Sequence, residues 1–403
     1  MPTPPLPRFS VLARIPRSIW ALGVVSLLMD VSSEIVHSLL PVFMVGTLGA
    51  SVFMLGLVDG AAEAVGLIVK VISGAWSDRM GRRKPLAIAG YLIGALSKPL
   101  FAIAGSPAAV LGARVIDRIG KGIRGAPRDA LVADLAPHEL RGAAFGLRQA
   151  LDTVGAFAGP LIAIGLMLLW ANDVRAVFWV AIVPGLLAVA VLLFGVAEPD
   201  RVSPGAVPIN PLKRDALRRL SAPYWWVVGV GAVFMLARFS EAFLVLRAVQ
   251  GGLALAWTPL VLVGMNLVYL LAAYPLGKLS DTVSHGRLLA AGLVLLIAAD
   301  LLLARGSDWP WTASGIALWG LHMGMTQGLL ARMVADAAPA DLRGTAYGLF
   351  NLASGVALLI AGGVAGWLWD RHGAPATFAA GAGLAALALA VLALRPSGSI
   401  APP

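Results

Sequence analysis

The segment Val132-Ala133-Asp134-Leu135-Ala136-Pro137-His138-Glu139-Leu140-Arg141-Gly142 returns about 202 residues later as Val334-Ala335-Asp336-Ala337-Ala338-Pro339-Ala340-Asp341-Leu342-Arg343-Gly344. Gly146 and Gly348 extend the match at the same spacing. A second pair, Gly74-Ala75-Trp76-Ser77-Asp78 and Gly277-Lys278-Leu279-Ser280-Asp281, keeps nearly that offset. Two unrelated motifs that share a spacing of half the 403-residue chain identify a duplicated unit. In a strongly apolar chain, parallel duplicated halves are the plan of a secondary transporter, with its site between them.

Composition supports the membrane reading. The chain is 59% hydrophobic and 13% charged, with a mean hydropathy of +0.85. Soluble domains sit near ~45–50% apolar and ~25% charged, so a soluble fold would leave extensive apolar surface in water. The absence of Cys excludes disulfide and thiolate chemistry, and five His with few clustered acids give no zinc-like spacing. No metal or cofactor is expected. A net charge of +10 could suggest nucleic acid, but most Lys and Arg lie in short segments between apolar runs. That distribution is a topology signal, so the expected partners are a lipid bilayer and a small solute, without nucleic acid.

Twelve apolar runs are long enough to span a bilayer. They lie near 19–45, 51–75, 85–105, 107–131, 142–169, 175–196, 223–249, 254–279, 287–305, 310–334, 344–368 and 374–394, and are numbered spans 1 to 12. The polar stretch 197–221, with Pro204, Pro208, Pro211, Lys213, Arg214, Arg218 and Arg219, separates the first six from the last six. The expected organisation is a tail 1–18, a six-span half 19–196, a linker 197–221, a second half 222–394 and a tail 395–403. The fold class is an all-α membrane protein of two pseudo-symmetric six-helix halves. With the N-terminus inside, the inner segments hold Arg8, Arg14, Arg17, Arg82, Arg83, Lys84, Arg141, Arg343 and other bases, against Arg175, Arg305 and Arg371 outside. Both termini are therefore expected in the cytoplasm, and the N-terminus lacks the short apolar core and cleavage site of a signal peptide. The expected location is a bacterial inner membrane, and one chain with both halves suffices as a monomer.

The loop after span 2 reads Gly74-Ala75-Trp76-Ser77-Asp78-Arg79-Met80-Gly81-Arg82-Arg83-Lys84. It resembles the G-x-x-x-D-R-x-G-R-R/K signature of the major facilitator superfamily, with a weaker copy from Gly277 to Asp281. The resemblance covers essentially the whole chain and implies twelve helices and transport by alternating access. It also implies that this loop (Gly74, Asp78, Arg79, Gly81, Arg82, with Asp281 in the copy) latches the cytoplasmic side in the outward-open state. Topology alone is the competing account of Arg82, Arg83 and Lys84.

Span 4 carries Arg114, Asp117, Arg118, Lys121, Arg124, Arg128 and Asp129. Arg118-Ile119-Gly120-Lys121-Gly122 resembles the family's R-x-x-Q-G pattern, which the family ties to proton transfer, with Lys121 in place of Gln. The equivalent stretch of the second half contains Trp319, Gly320, His322, Met323, Gly324, Thr326 and Gln327 and has lost the charges. Charges at mid-membrane cost a few kcal/mol or more, so they face a wet cavity or pair. Arg128 and Asp129 fit the inner interface instead, where long side chains snorkel.

Span 1 supplies opposite charge in Asp30, Glu34 and His37, spaced four and three apart on one helical face, with Ser33 and Ser38 nearby. Span 2 repeats the idea with Asp59 and Glu63. A carboxylate that alternates between a proton, a base and a solute is a workable coupling device. A static ion-pair network is the alternative. Span 5 contains Gly155-Ala156-Phe157-Ala158-Gly159-Pro160, which resembles the family's antiporter motif G-x-x-x-G-P-x-x-G-G without its terminal glycine pair. Export is favoured on that basis, although tight packing explains the glycines equally well. Arg148, Gln149 and Asp152 add polar groups to the same span. In the second half Arg238 and Glu241 are three apart on span 7, and Asn266, Tyr269, His322 and Gln327 are candidate hydrogen-bonding groups. Trp225, Trp226, Trp309 and Trp311 read as interfacial anchors.

The expected function is a proton-coupled permease, by antiport, for an anionic or zwitterionic solute. An organic-cation exporter, an importer, a receptor and an intramembrane enzyme are the alternatives. His37 near Ser33 is the single nucleophile–base candidate, and no nucleophile motif surrounds it, so no enzyme is expected.

Overall fold

A computed structural model describes residues 14–80, 82–197, 219–279, 282–306, 308–326, 328–339 and 342–394. Most of the expected N-terminal tail and linker, and the whole C-terminal tail, lie outside the described residues, as do Gly81, Asp281 and Gln327.

The apolar runs are helices because a lipid-embedded backbone has to satisfy its own N–H and C=O groups. In chain order they are α1 (Arg17–His37), α2 (Val52–Met80), α3 (Lys84–Leu96), α4 (Lys98–Ile103), α5 (Pro107–Leu135), α6 (Arg141–Leu169), α7 (Val174–Val180) and α8 (Ile182–Gly195). The second half continues as α9 (Ala222–Ala237), α10 (Ala242–Gln250), α11 (Leu260–Leu279), α12 (His285–Arg305), α13 (Trp309–Thr326), α14 (Leu329–Ala337), α15 (Arg343–His372) and α16 (Ala374–Ala393). Among the described residues, ten helices are long and apolar enough to cross a membrane. Span 4, which is α5 with its charges, and span 10, which is α13 and α14, complete the twelve.

Several spans are interrupted. Span 1 continues past His37 through Leu40–Val42 into a π-helical turn, Phe43–Thr47. Span 3 breaks at Ser97, before Pro99 at the start of α4. Span 10 breaks at Gly328, whose φ of +82° belongs to glycine. Span 7 breaks between Ala237 and Ala242, which corrects the expectation that Arg238 and Glu241 lie on continuous helix. No Pro or Gly marks that interruption.

The chain divides into two compact units, residues 1–37, 69–104 and 112–208, and residues 38–68, 105–111 and 209–403. The core of the first unit gathers Ile19, Leu22, Met29, Tyr91, Leu131, Val132 and Leu192, with α1 lying along α6 and α8. In the second unit α12 packs on α13 and α16. Phe239 there meets Phe243, Trp319 and Phe378 at centroid distances of 5.2, 5.5 and 5.6 Å.

The repeat is visible as paired geometry. Arg83 forms an ion pair with Asp134 at 3.1 Å in the first unit, and His285 meets Asp336 at 3.7 Å in the second. Both members of each pair stand at the 202-residue offset of the opening segment.

Candidate functional site

The first unit assembles its polar groups where α1, α3, α4, α5 and α6 pack closely. α3 meets α5 through glycines. A Cβ on Gly90 would lie 2.7 Å from the Gly120 carbonyl, and one on Gly120 would lie 2.7 Å from the Gly94 nitrogen. α6 meets α1 in the same way, so a Cβ on Gly155 would lie 2.5 Å from the Leu27 carbonyl and 3.0 Å from Asp30 Cβ. A Cβ on Gly159 would lie 2.7 Å from Glu34 Cβ. The antiporter-like motif, with Pro160 buried inside the helix, thus presses α6 onto α1 beside its two carboxyls.

On that scaffold His37 stands between two acids. Its Nδ1 is 3.6 Å from Glu34 Oε1 and its Nε2 is 3.5 Å from Asp117 Oδ2. These spacings suit a charge-assisted or water-bridged contact better than a short direct hydrogen bond. The second oxygen of Asp117 receives Lys98 Nζ at 2.6 Å and Ser97 Oγ at 3.3 Å. Lys98 also donates to Ser33 Oγ at 3.2 Å. The result is a chain of four titratable groups, Glu34, His37, Asp117 and Lys98, drawn from three spans. Sequence reasoning missed Lys98. Its signal is a lone base inside an apolar run, directly before Pro99.

Basic groups surround the chain. Arg114 and Arg118 are buried on α5 and lie within electrostatic reach of His37. Arg124 is buried with its guanidinium 5.0 Å from the centre of the Tyr91 ring. Lys121 is exposed and lies in reach of Asp30 and Glu34. Asp30 faces Asp152 of α6. Asp152 is approached by Arg148 at 3.7 Å and Arg128 at 3.9 Å, and Arg148 donates to Gln149 Oε1 at 2.6 Å. Arg128 also binds its neighbour Asp129 at 3.0 Å.

Other candidates fall elsewhere. Asp59 and Glu63 belong to the second unit, where Ser240 Oγ donates to Asp59 Oδ2 at 2.6 Å. Arg238 and Glu241 pair at 3.7 Å in the span 7 interruption. Asn266 is half-buried on α11. His322 is buried, with Nδ1 2.7 Å from the Gly292 carbonyl and its ring stacked on Phe234 at 5.5 Å. Asp300, a second residue that the sequence reading passed over, is wholly buried on α12 with no hydrogen-bond partner for either oxygen among the described residues. In the signature loop, a Cβ on Gly74 would make an ordinary contact, 3.4 Å from Ala126 Cβ, and Arg82 is exposed. Asp78 and Arg79 end α2, and their side chains lie outside the described set.

This architecture and sequence have relatives. The family model described as Major Facilitator Superfamily matches residues 22–265 and 251–402. An MFS-type transporter of Methanocaldococcus jannaschii is 30% identical over 359 residues, which is 88% of each chain. The inner membrane transport protein YajR of Escherichia coli is 24% identical, over 93% of this chain and 82% of its own. The multidrug resistance protein MdtH of Proteus mirabilis is 28% identical over 83% of each. Among solved structures, the nucleoside transporter NupG superposes with a TM-score of 0.75 at 14% identity, covering 94% of this chain and 99% of that one. A POT family transporter solved with 5-aminolevulinic acid gives 0.76 at 14% identity, covering 94% and 95%. At those identities the structures establish a shared fold. The family match spans nearly the whole chain, so the protein belongs to the major facilitator superfamily of membrane transporters.

Proposed function

We propose that the protein is a proton-coupled exporter of a small anionic or zwitterionic organic solute. It works by alternating access as a monomer in a bacterial inner membrane, with both termini in the cytoplasm. The proton gradient supplies the energy and no cofactor takes part. The observation that carries this reading is the chain Glu34–His37–Asp117–Lys98. An imidazole held between two carboxyls passes a proton from one to the other by a small movement. Around it, bases outnumber acids: Lys98, Arg114, Arg118, Arg124 and Arg148 are buried and Arg128 half-buried, against buried Asp117 and half-buried Asp30, Glu34 and Asp152. Such an excess of buried positive charge is costly in a membrane unless an anion shares the site, which favours a solute carrying a carboxylate or phosphate. The resemblance of Gly155, Gly159 and Pro160 to the antiporter motif favours export.

The test is thermal stability of the purified protein at pH 6 and pH 8 against panels of anionic, cationic and neutral solutes. A ligand that binds the folded state raises Tm by mass action. The reading expects stabilisation by anions that is lost in Arg118→Ala. The name multidrug resistance protein, borne by the MdtH relative, gives the rival outcome. Stabilisation by organic cations, lost in Glu34→Gln, would replace the anion reading. Proton coupling is checked separately in proteoliposomes, where a pH gradient should drive solute exchange in the parent protein but not in Glu34→Gln.

A further inference from the structure

A seam in the second unit joins α2 to α15 and has no part in the charge chain. A Cβ on Gly56 would strike the carbonyl of Gly362, and a Cβ on Gly362 would strike that of Gly56. Further along, a Cβ on Gly60 would lie 2.8 Å from the Leu358 carbonyl, one on Gly355 3.1 Å from Ala64 Cα, and one on Gly366 2.5 Å from the Val52 carbonyl. Backbone rests on backbone, an approach that glycine alone permits.

A carboxylate lies at one end of this seam. Asp370, in the last turn of α15, accepts hydrogen bonds from the backbone N–H groups of Val52 at 3.0 Å and Phe53 at 2.9 Å. Those donors belong to the first turn of α2, where no carbonyl of the same helix can reach them. Asp370 therefore caps a helix that begins 318 residues earlier, and its charge lies at the positive end of that helix. Ser51 supplies a local cap, accepting from the Met54 N–H at 3.1 Å.

The duplication does not account for this device. At the 202-residue offset, Asp370 corresponds to Leu168, Gly362 to Pro160, Gly366 to Ile164 and Gly56 to Thr258. The equivalent positions of the repeat thus hold neither the acid nor these glycines. Asp370 is also exposed, so water can take over its hydrogen bonds when the helix ends part. A permanent joint is better served by burial, and an exposed cap suits a contact that is made and broken.

We propose that Asp370 is a gating residue of the transport cycle. It holds the start of α2 against the end of α15 while that side is closed to solute, and releases it when that side opens. The proposal rests on the alternating-access reading. Because the chain contains no Cys, Thr47→Cys with Arg371→Cys, both at exposed positions, provides a spin-labelled pair in otherwise native protein. Double electron–electron resonance in lipid nanodiscs then reads the separation of the two ends at several pH values. Asp370→Ala should move the ratio of short to long distances about fivefold toward long, the size of a lost helix cap. Gly362→Ala should move it the same way, and Asp173→Ala, which removes only the local cap of α7, should not. Two distance populations whose ratio ignores Asp370→Ala would overturn the gate and leave alternating access standing. A single population in every variant and condition would remove alternating access itself.

Discussion

His37, Asp117 and Lys98 in the first unit have Phe239, Trp319 and Asp300 at the corresponding repeat positions in the second. Both sets are buried or nearly so, and both are brought together by the same helices of the plan. In the first unit they form a chain of ion-pair contacts, with a hydrogen bond from Lys98 to Asp117. In the second, Phe239 packs 5.5 Å from Trp319, and a Cβ on Gly381 would touch both Phe239 and Asp300 Oδ2. One geometry thus hosts an ion network in one unit and an aromatic core enclosing a lone acid in the other. The comparison teaches that duplication supplied positions, and side-chain chemistry then specialised one copy for charge. At Arg83–Asp134 and His285–Asp336, by contrast, both copies keep the pair.

The comparison breaks most easily at Asp117. Asp117→Asn strands Lys98, which is wholly buried, without its counter-charge. A loss of ~3–5 kcal/mol is expected, measured by denaturant unfolding in detergent, and Lys98→Met combined with Asp117→Leu should recover most of it. The next effect lies in the other copy. Gly320→Ala would drive a Cβ into the Met265 carbonyl, for ~1–3 kcal/mol by overpacking, seen as a lowered Tm. Asp300→Asn keeps the shape and removes an acid with no ion pair or hydrogen bond among the described residues. The expected result is no loss and a gain of up to ~1 kcal/mol, with pH-driven exchange retained in proteoliposomes. A large loss would mean that both copies use charge. The smallest effect is at the shared pairs. Arg83→Ala should cost ~0.2–1 kcal/mol, as for partly exposed pairs. His285→Ala should cost less, because its partner Asp336 is half-exposed and the pair is charged only when the imidazole is protonated.

Much of the fold was legible because membrane helices are written in long apolar runs and the repeat in near-identical words. The charges of α5 and the spacing of Glu34 and His37 were equally plain, since both lie on single helices with a regular period. Lys98 was hidden because one base in an apolar run carries no periodic signal, and its meaning depends on a partner from another span. The break at Arg238–Glu241 was hidden for a related reason, as no Pro or Gly announces it. Asp59 and Glu63 copied the four-residue spacing of Asp30 and Glu34, yet both belong to the second unit, where Asp59 meets Ser240. Spacing along a helix fixes which residues share a face, but it does not say what that face meets.

The amino-acid sequence by itself determined the twelve spans, the duplication and the concentration of charge on α1 and α5, because these follow from hydropathy, helical period and self-similarity. Tertiary structure alone decided that His37 lies between Glu34 and Asp117, that Lys98 closes the chain, and that Asp370 caps a helix far upstream. Those contacts depend on how closely glycines let neighbouring backbones approach, a distance set by packing between helices rather than by order along one.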